Sequence, residues 1–203
     1  MMKTGQHLAM SGLPAINVLP WGAHVCHFYK TKQELLSTLV PYFVAGLKNH
    51  EKCIWITSKP INVDEAFEAL SVSYPTIKDC VGRNQIVIRE FTDWYVGNEA
   101  PRDVLSQWLF EEAKALNGGF TGLRITGNVS WLETEADWKA FHRYESQVSA
   151  AFAERKVIAL CTYPLDLCTA PNVLSALRNH QFGLSQCDGE WELLHGAAPH
   201  SHV

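Results

Sequence analysis

A chain of 203 residues that is 47% hydrophobic and 19% charged, with 13 glycines and 9 prolines, suits one α/β domain with a substantial core and excludes a disordered chain. Its formal net charge of -4 comes with no basic stripe, so the counterion release that drives nucleic-acid binding has no source and no direct nucleic-acid contact is expected. Cys26, Cys53, Cys80, Cys161, Cys168 and Cys187 show no C-x-x-C spacing, which predicts reduced, largely buried thiols of a cytoplasmic protein.

Residues 1–20 mix Gly, Ser, Pro and Thr without periodicity and carry a single lysine, Lys3; they read as a flexible lead-in and not as a signal peptide. A first strand fits His24–Tyr29, and the helix after it carries Leu35, Leu36, Leu39, Val40, Phe43 and Leu47 on one face. Pro41 inside that helix predicts a kink or a lost hydrogen bond. It also interrupts the longest apolar stretch, residues 39–47, which is far too short to span a bilayer. Residues 53–57 are a second strand, and Asp64 opens a helix that ends by Tyr74-Pro75.

Residues 86–91 form a third strand, and Pro101 opens a helix stopped by Asn117-Gly118-Gly119. A fourth strand, residues 123–127, precedes a helix over 135–154 with Trp138, Phe141, Glu145, Val148 and Phe152 at three- and four-residue steps. Residues 157–162 are a continuous apolar run, as expected of a central strand covered on both faces. A helix from near Pro171 leads to two strands, 182–186 and 190–194, joined through the hairpin signal Asp188-Gly189. The alternation predicts an α/β fold: a mostly parallel central sheet flanked by helices, ending in a β-hairpin, as one domain over 21–195 with a flexible tail over 196–203.

The turn after the first strand is where a nucleotide-binding protein of this class grips phosphate. Lys30, Thr31 and Lys32 stand there without a glycine, so backbone N–H groups cannot close around an anion. The architecture of a nucleotide enzyme is kept and its usual chemistry is lost, which points to binding or sensing.

Glu145 is centred on the apolar stripe of its helix, where a carboxylate must be paired or hydrogen-bonded. Arg124, in the fourth strand beside Thr126-Gly127-Asn128, is a candidate partner; such a pair would serve either a site or the bracing of sheet and helix. Tyr163, Cys161, Trp131, Trp94 and Tyr95 offer polarizable surface for the mouth of a pocket at the carboxyl ends of the strands, although plain packing accounts for most tryptophans. No metal is expected. The alternative set His24, Cys26 and Cys161 is stereochemically possible, since His24 and Cys26 share a strand face while His27 points to the other. No residue is assigned a catalytic role, because neither Cys26 nor Cys161 has a recognisable activating partner.

Several segments together resemble a known family. Gly22-x-His24 with Phe28-Tyr29, Gly46-Leu47 with Glu51-x-Cys53-Ile54-Trp55-Ile56-Thr57, residues 123–131 (Leu-Arg-Ile-Thr-Gly-Asn-Val-Ser-Trp), Trp138 with Tyr144-Glu145, and Leu160-Cys161-Thr162-Tyr163 are similar to the MEDS sensory domain, named for methanogens, methylotrophs and a dichloromethane-responsive regulator. The resemblance implies a RecA- and KaiC-like fold without a functional phosphate loop, and a role in sensing simple hydrocarbon derivatives. Its ligand-handling positions carry over as His24, Arg124, Glu145, Cys161 and Tyr163, to which the pocket reading adds Trp131. The sequence leaves any cofactor unknown. The expected partners are a small organic ligand and a separate protein, a regulator or kinase, or a second copy of the chain, because no output module follows Leu194. Rival readings are a metal-binding enzyme, a residual nucleotide-binding enzyme, and a ligand-free partner-switching protein.

Overall fold

The computed structural model describes residues 8–96 and 101–197. The chain opens with an antiparallel hairpin of β1 (Leu8–Leu13) and β2 (Ile16–Pro20). Next come β3 (His24–Tyr29), α1 (Lys32–Lys48), β4 (Lys52–Thr57), α2 (Val63–Ser73), the short α3 (Ile77–Gly82) and β5 (Ile86–Glu90). A single π turn over Thr92–Val96 leads towards α4 (Pro101–Asn117), β6 (Leu123–Asn128), α5 (Glu135–Phe152), β7 (Val157–Pro164), α6 (Ala170–Asn179), β8 (Phe182–Cys187) and β9 (Glu190–His195). The main sheet runs in the order β5-β4-β6-β7-β3-β8-β9, parallel throughout except for the terminal β8-β9 hairpin.

The interior positions of β3, β4 and β7 in the sheet explain their largely apolar sequences, with His24, His27 and Lys52 as buried exceptions. Every residue of β3 and β4 is buried, as are all but one of β7, because helices cover both faces of a parallel sheet. The edge strands β5 and β9 are progressively exposed. Alternation along each strand then divides the core in two. Val25, Tyr29, Trp55, Ile158 and Leu160 pack with α1, α2, α3 and the β1-β2 hairpin. Cys26, Phe28, Ile54, Ile125, Ala159 and Tyr163 pack with α4, α5 and α6.

One expectation from sequence is revised here. Residues 8–20 form a strand pair packed on α1, and not an unstructured lead-in: Ala9, Ser11 and Leu13 turn inward while Leu8 and Met10 face out. Residues 1–7, the loop 97–100 and the tail 198–203 lie outside the described residues. Helix α1 runs through Pro41 without a break; the flanking turns stay packed, and Tyr42 Oη lies 3.0 Å from the carbonyl oxygens of both Ile125 and Ile158. No helix among the described residues is long and apolar enough to cross a membrane.

Candidate functional site

Beneath α5, on the face shared by β3 and β7, four ligand-type side chains converge: His24, Glu145, Cys161 and His180, with donor and acceptor atoms all within 4.8 Å of one another. Parallel pairing puts His24 of β3 beside Ala159 of β7, two residues before Cys161 on the same face. Glu145 reaches down from the middle of α5. His180 caps α6 just before β8, and β8 pairs with β3, so the chain delivers it next to His24. Gln181 locks that placement: its amide donates to the His24 carbonyl at 3.0 Å, and its Oε1 accepts from the His24 amide at 2.8 Å.

Glu145 Oε2 lies 3.3 Å from His24 Nε2, 3.0 Å from His180 Nε2 and 3.3 Å from the Tyr163 hydroxyl that donates to it. Cys161 Sγ is 3.7 Å from Glu145 Oε1 and 3.3 Å from His24 Nε2. The contact with His180 Nε2 is at ion-pair distance but outside hydrogen-bonding geometry. The two imidazole rings are 3.9 Å apart, centre to centre. His24, Glu145, Tyr163 and His180 are buried, and Cys161 is half-buried.

The outer nitrogens of both rings are already engaged. His180 Nδ1 donates to the Ala176 carbonyl at 2.7 Å. Ser149 Oγ, 2.8 Å from His24 Nδ1, spends its own proton on the Asn179 carbonyl and therefore accepts from Nδ1–H. In their neutral forms both histidines thus turn a bare Nε2 lone pair toward the same carboxylate oxygen. Burial, followed by the adjacent His180 ring, lowers the basicity of His24. Burial pulls the Glu145 carboxyl up, but His24 and His180, when they carry a proton on Nε2, outweigh it and hold Glu145 below the usual carboxylate range. Burial, then the Glu145 charge, pushes the Cys161 thiol up, so Cys161 is not a standing thiolate nucleophile.

Next to this cluster the sheet is open. Gly127 and Cys161 are register partners, and both are half-buried, as are Tyr95 and Trp131, while Thr126, Asn128 and Tyr163 are covered. A Cβ at Gly127 would lie 2.8 Å from the Tyr95 hydroxyl, so the glycine is what admits that ring. Tyr95 sits on the π turn and stacks on Trp131 at 5.4 Å; Trp131 also stacks on Phe91 and meets Phe141 edge-on. At the carboxyl ends of β4, β6 and β7 a separate cavity of about 10 Å³ is lined by Thr57, Asn128 and Thr162, room for about one water.

Of the residues singled out from sequence, His24, Glu145, Cys161 and Tyr163 come together, and Trp131 stacks on Tyr95, whose hydroxyl sits over Gly127 beside them. Arg124 does not join them. It lies on the opposite face of the sheet, so the expected Arg124–Glu145 pair is replaced by Arg124–Glu51, with Nε 2.5 Å from Oε2 and Nη2 3.0 Å from Oε1. Its remaining donors go to the carbonyls of Ser11, Tyr42 and Met10. Cys26 stands outside the cluster, its thiol donating to the Phe182 carbonyl at 3.6 Å, so the alternative metal set of His24, Cys26 and Cys161 is corrected to one that has Glu145 and His180 in place of Cys26. His27 faces α1, 3.4 Å from Thr38 Oγ1. His180 and Glu51 were missed by the sequence reading. The only cue to His180 was its position immediately before a strand that pairs with β3.

The turn after β3 carries its own anion. Thr31 caps α1 by accepting from the Glu34 amide at 3.1 Å, and Glu34 Oε2 accepts from the Lys30 amide at 2.7 Å. Lys32 is paired with Glu65. A carboxylate of the chain therefore occupies the helix N-terminus where a phosphate would otherwise be held.

The family model described as MEthanogen/methylotroph, DcmR Sensory domain matches residues 23–181. The chain belongs to the MEDS family. A relative is the transcriptional repressor DcmR of Methylorubrum extorquens, 24% identical over 161 residues that make up 78% of this chain and 58% of that protein. The chain thus spans little more than half the length of that relative. Among solved structures, a KaiC-like protein of Pyrococcus horikoshii superposes with a TM-score of 0.62 at 15% identity, covering 93% of this chain and 86% of that one. The flagellar accessory protein FlaH of Methanocaldococcus jannaschii gives 0.54 at 11% identity, covering 91% and 84%. These likenesses establish the RecA- and KaiC-like fold of this MEDS domain, and family membership makes it a sensory domain.

Proposed function

We propose that this MEDS domain is a non-catalytic sensor that takes up a small, weakly polar organic molecule beside Cys161 and relays its presence to a protein partner. The observation that supports the reading is the partial exposure of the register partners Gly127 and Cys161, with the Tyr95 hydroxyl seated over Gly127, Trp131 stacked on Tyr95, and Cys161 touching the His24–Glu145–Tyr163 cluster. Polarizable aromatic walls with a few convergent polar atoms suit a short alcohol, a halomethane or a related hydrocarbon derivative. Arg124 is outside the proposed contact set, because its five N–H donors are already satisfied.

Tyr95 is carried by a π turn, a feature that recurs at functional sites. A molecule entering beside Gly127 displaces the Tyr95 ring and with it the exposed residues Thr92 and Asp93. That local shift is the signal presented to a regulator, a kinase or a second copy of the chain. The name of the DcmR relative makes transcriptional control the natural output. The filled anion position at the start of α1 argues against a nucleotide hydrolase.

Thermal unfolding of the purified protein across a panel of short alcohols, halomethanes and related compounds tests the reading. A true ligand at 100 times its Kd adds about 2.7 kcal/mol to native stability, and Gly127→Ala, which drives Tyr95 out of its seat, abolishes that gain. Absence of stabilisation by every compound in the panel rejects it.

A further inference from the structure

The geometry points to a zinc-type divalent cation site formed by His24, Glu145, Cys161 and His180. This goes beyond the sensor reading and does not depend on an organic ligand. Metal–ligand bonds of zinc to nitrogen, oxygen and sulfur imply tetrahedral edges of about 3.3 to 3.7 Å between ligand atoms. The separations here are 3.3 Å and 3.0 Å from Glu145 Oε2 to the two Nε2 atoms, 3.3 Å from His24 Nε2 to Cys161 Sγ, and 3.7 Å from Sγ to Glu145 Oε1. Four side chains from four different parts of the fold thus bring ligand atoms within 4.8 Å of one another, with these contacts near the edges of a coordination shell.

The outer hydrogen bonds say the same. Metal-bound histidines characteristically give their second N–H to a carbonyl or another fixed acceptor. His180 Nδ1 does so to Ala176, and His24 Nδ1 does so to Ser149, itself anchored on Asn179. Tyr163 steadies the carboxylate. With both rings neutral, two Nε2 lone pairs face one carboxylate oxygen, an arrangement that a cation relieves. Nitrogen, sulfur and a single carboxylate select zinc or a similarly soft first-row ion over magnesium or calcium. Binding releases one proton, from the Cys161 thiol as it becomes the thiolate ligand. With four protein ligands the shell is closed, as in structural or sensing sites, and needs no catalytic water.

The test is a titration of reduced, chelator-treated protein with Co²⁺. The expected result is about one cobalt per chain with the visible bands of a tetrahedral ion, a near-ultraviolet sulfur-to-cobalt charge-transfer band, and full displacement by Zn²⁺. Cys161→Ser removes the charge-transfer band, and His180→Asn weakens uptake at least ~10-fold, with circular dichroism confirming the folded state of each variant. Wild-type protein that takes up no stoichiometric cobalt or zinc overturns the site, as does a charge-transfer band that survives in Cys161→Ser. The wild-type titration decides even if a variant fails to fold. Because no organic compound is present, its failure leaves the sensor reading standing, and the failure of the compound panel leaves the metal site standing.

Discussion

Arg124 is buried between two layers with each of its five N–H donors engaged, two on Glu51 and three on backbone carbonyls of the hairpin and α1. Gly46 makes room for it: a Cβ there would lie 2.7 Å from Arg124 Cδ and Nε. Removing one partner of such a pair leaves a buried charge alone, which costs about 3–5 kcal/mol. Arg124→Met is therefore expected to lower the urea-unfolding free energy by that amount, and adding Glu51→Gln is expected to return part of it. Additive effects of the two substitutions would show that they do not form a pair. The sequence marked both charged centres of this protein but joined them wrongly. Glu145 announced itself by sitting in the middle of an apolar helical stripe. Arg124 pointed away from it because Leu123 and Ile125, its neighbours in β6, face α5. That parity was legible in residues 123–127 once the partner helix was known, and not before. His180 carried no such mark, since a histidine at a helix end gains its meaning only when β8 pairs with β3.

Strands and helices were read with more success, and for a physical reason. Buried parallel strands such as β4 and β7 carry the apolar runs 53–56 and 157–161, and α1, α4 and α5 show a clear helical stripe. The misses are short elements whose stability comes from tertiary packing: the β1-β2 hairpin, held by α1 and by Arg124, and the six-residue α3. Without those contacts their composition reads as loop. The start of α1 shows the opposite case, since Lys30, Thr31 and Lys32 already mark a turn without glycine. Because Glu34 already accepts from the Lys30 amide and Thr31 from the Glu34 amide, isothermal titration with Mg·ATP is expected to give no heat of specific binding. Thr31→Ala should destabilise the protein by about 1 kcal/mol through the lost cap, without creating nucleotide affinity. Saturable ATP binding by the wild type would contradict this account of the turn.

At the scale of the whole molecule the sheet is a partition. The His24–Glu145–Cys161–His180 cluster lies on the α5 side, while His27 and the Arg124–Glu51 pair lie on the α1 side. His27 is buried between β3 and α1 with Nδ1 unpartnered, its ring 5.7 Å from that of Trp191, and burial drives its pKa from 6.5 down to about 4. A histidine whose basicity falls on folding binds protons more readily in the unfolded chain. The native state therefore holds its full advantage above about pH 6.5, loses it as the pH falls from there towards 4, and has lost all of it below. That depression corresponds to on the order of 3 kcal/mol. His27→Gln keeps a polar group near Thr38 but cannot titrate. In urea unfolding at a series of pH values, the stability of the wild type relative to His27→Gln should fall steadily between pH 6.5 and 4, while every other titrating group cancels between the two proteins. Parallel curves for the two proteins across that window would mean that His27 is protonated, or hydrated, in the native state. Because the sheet stands between His27 and the proposed metal ligands, saturating the protein with zinc should raise both curves together and leave their difference unchanged.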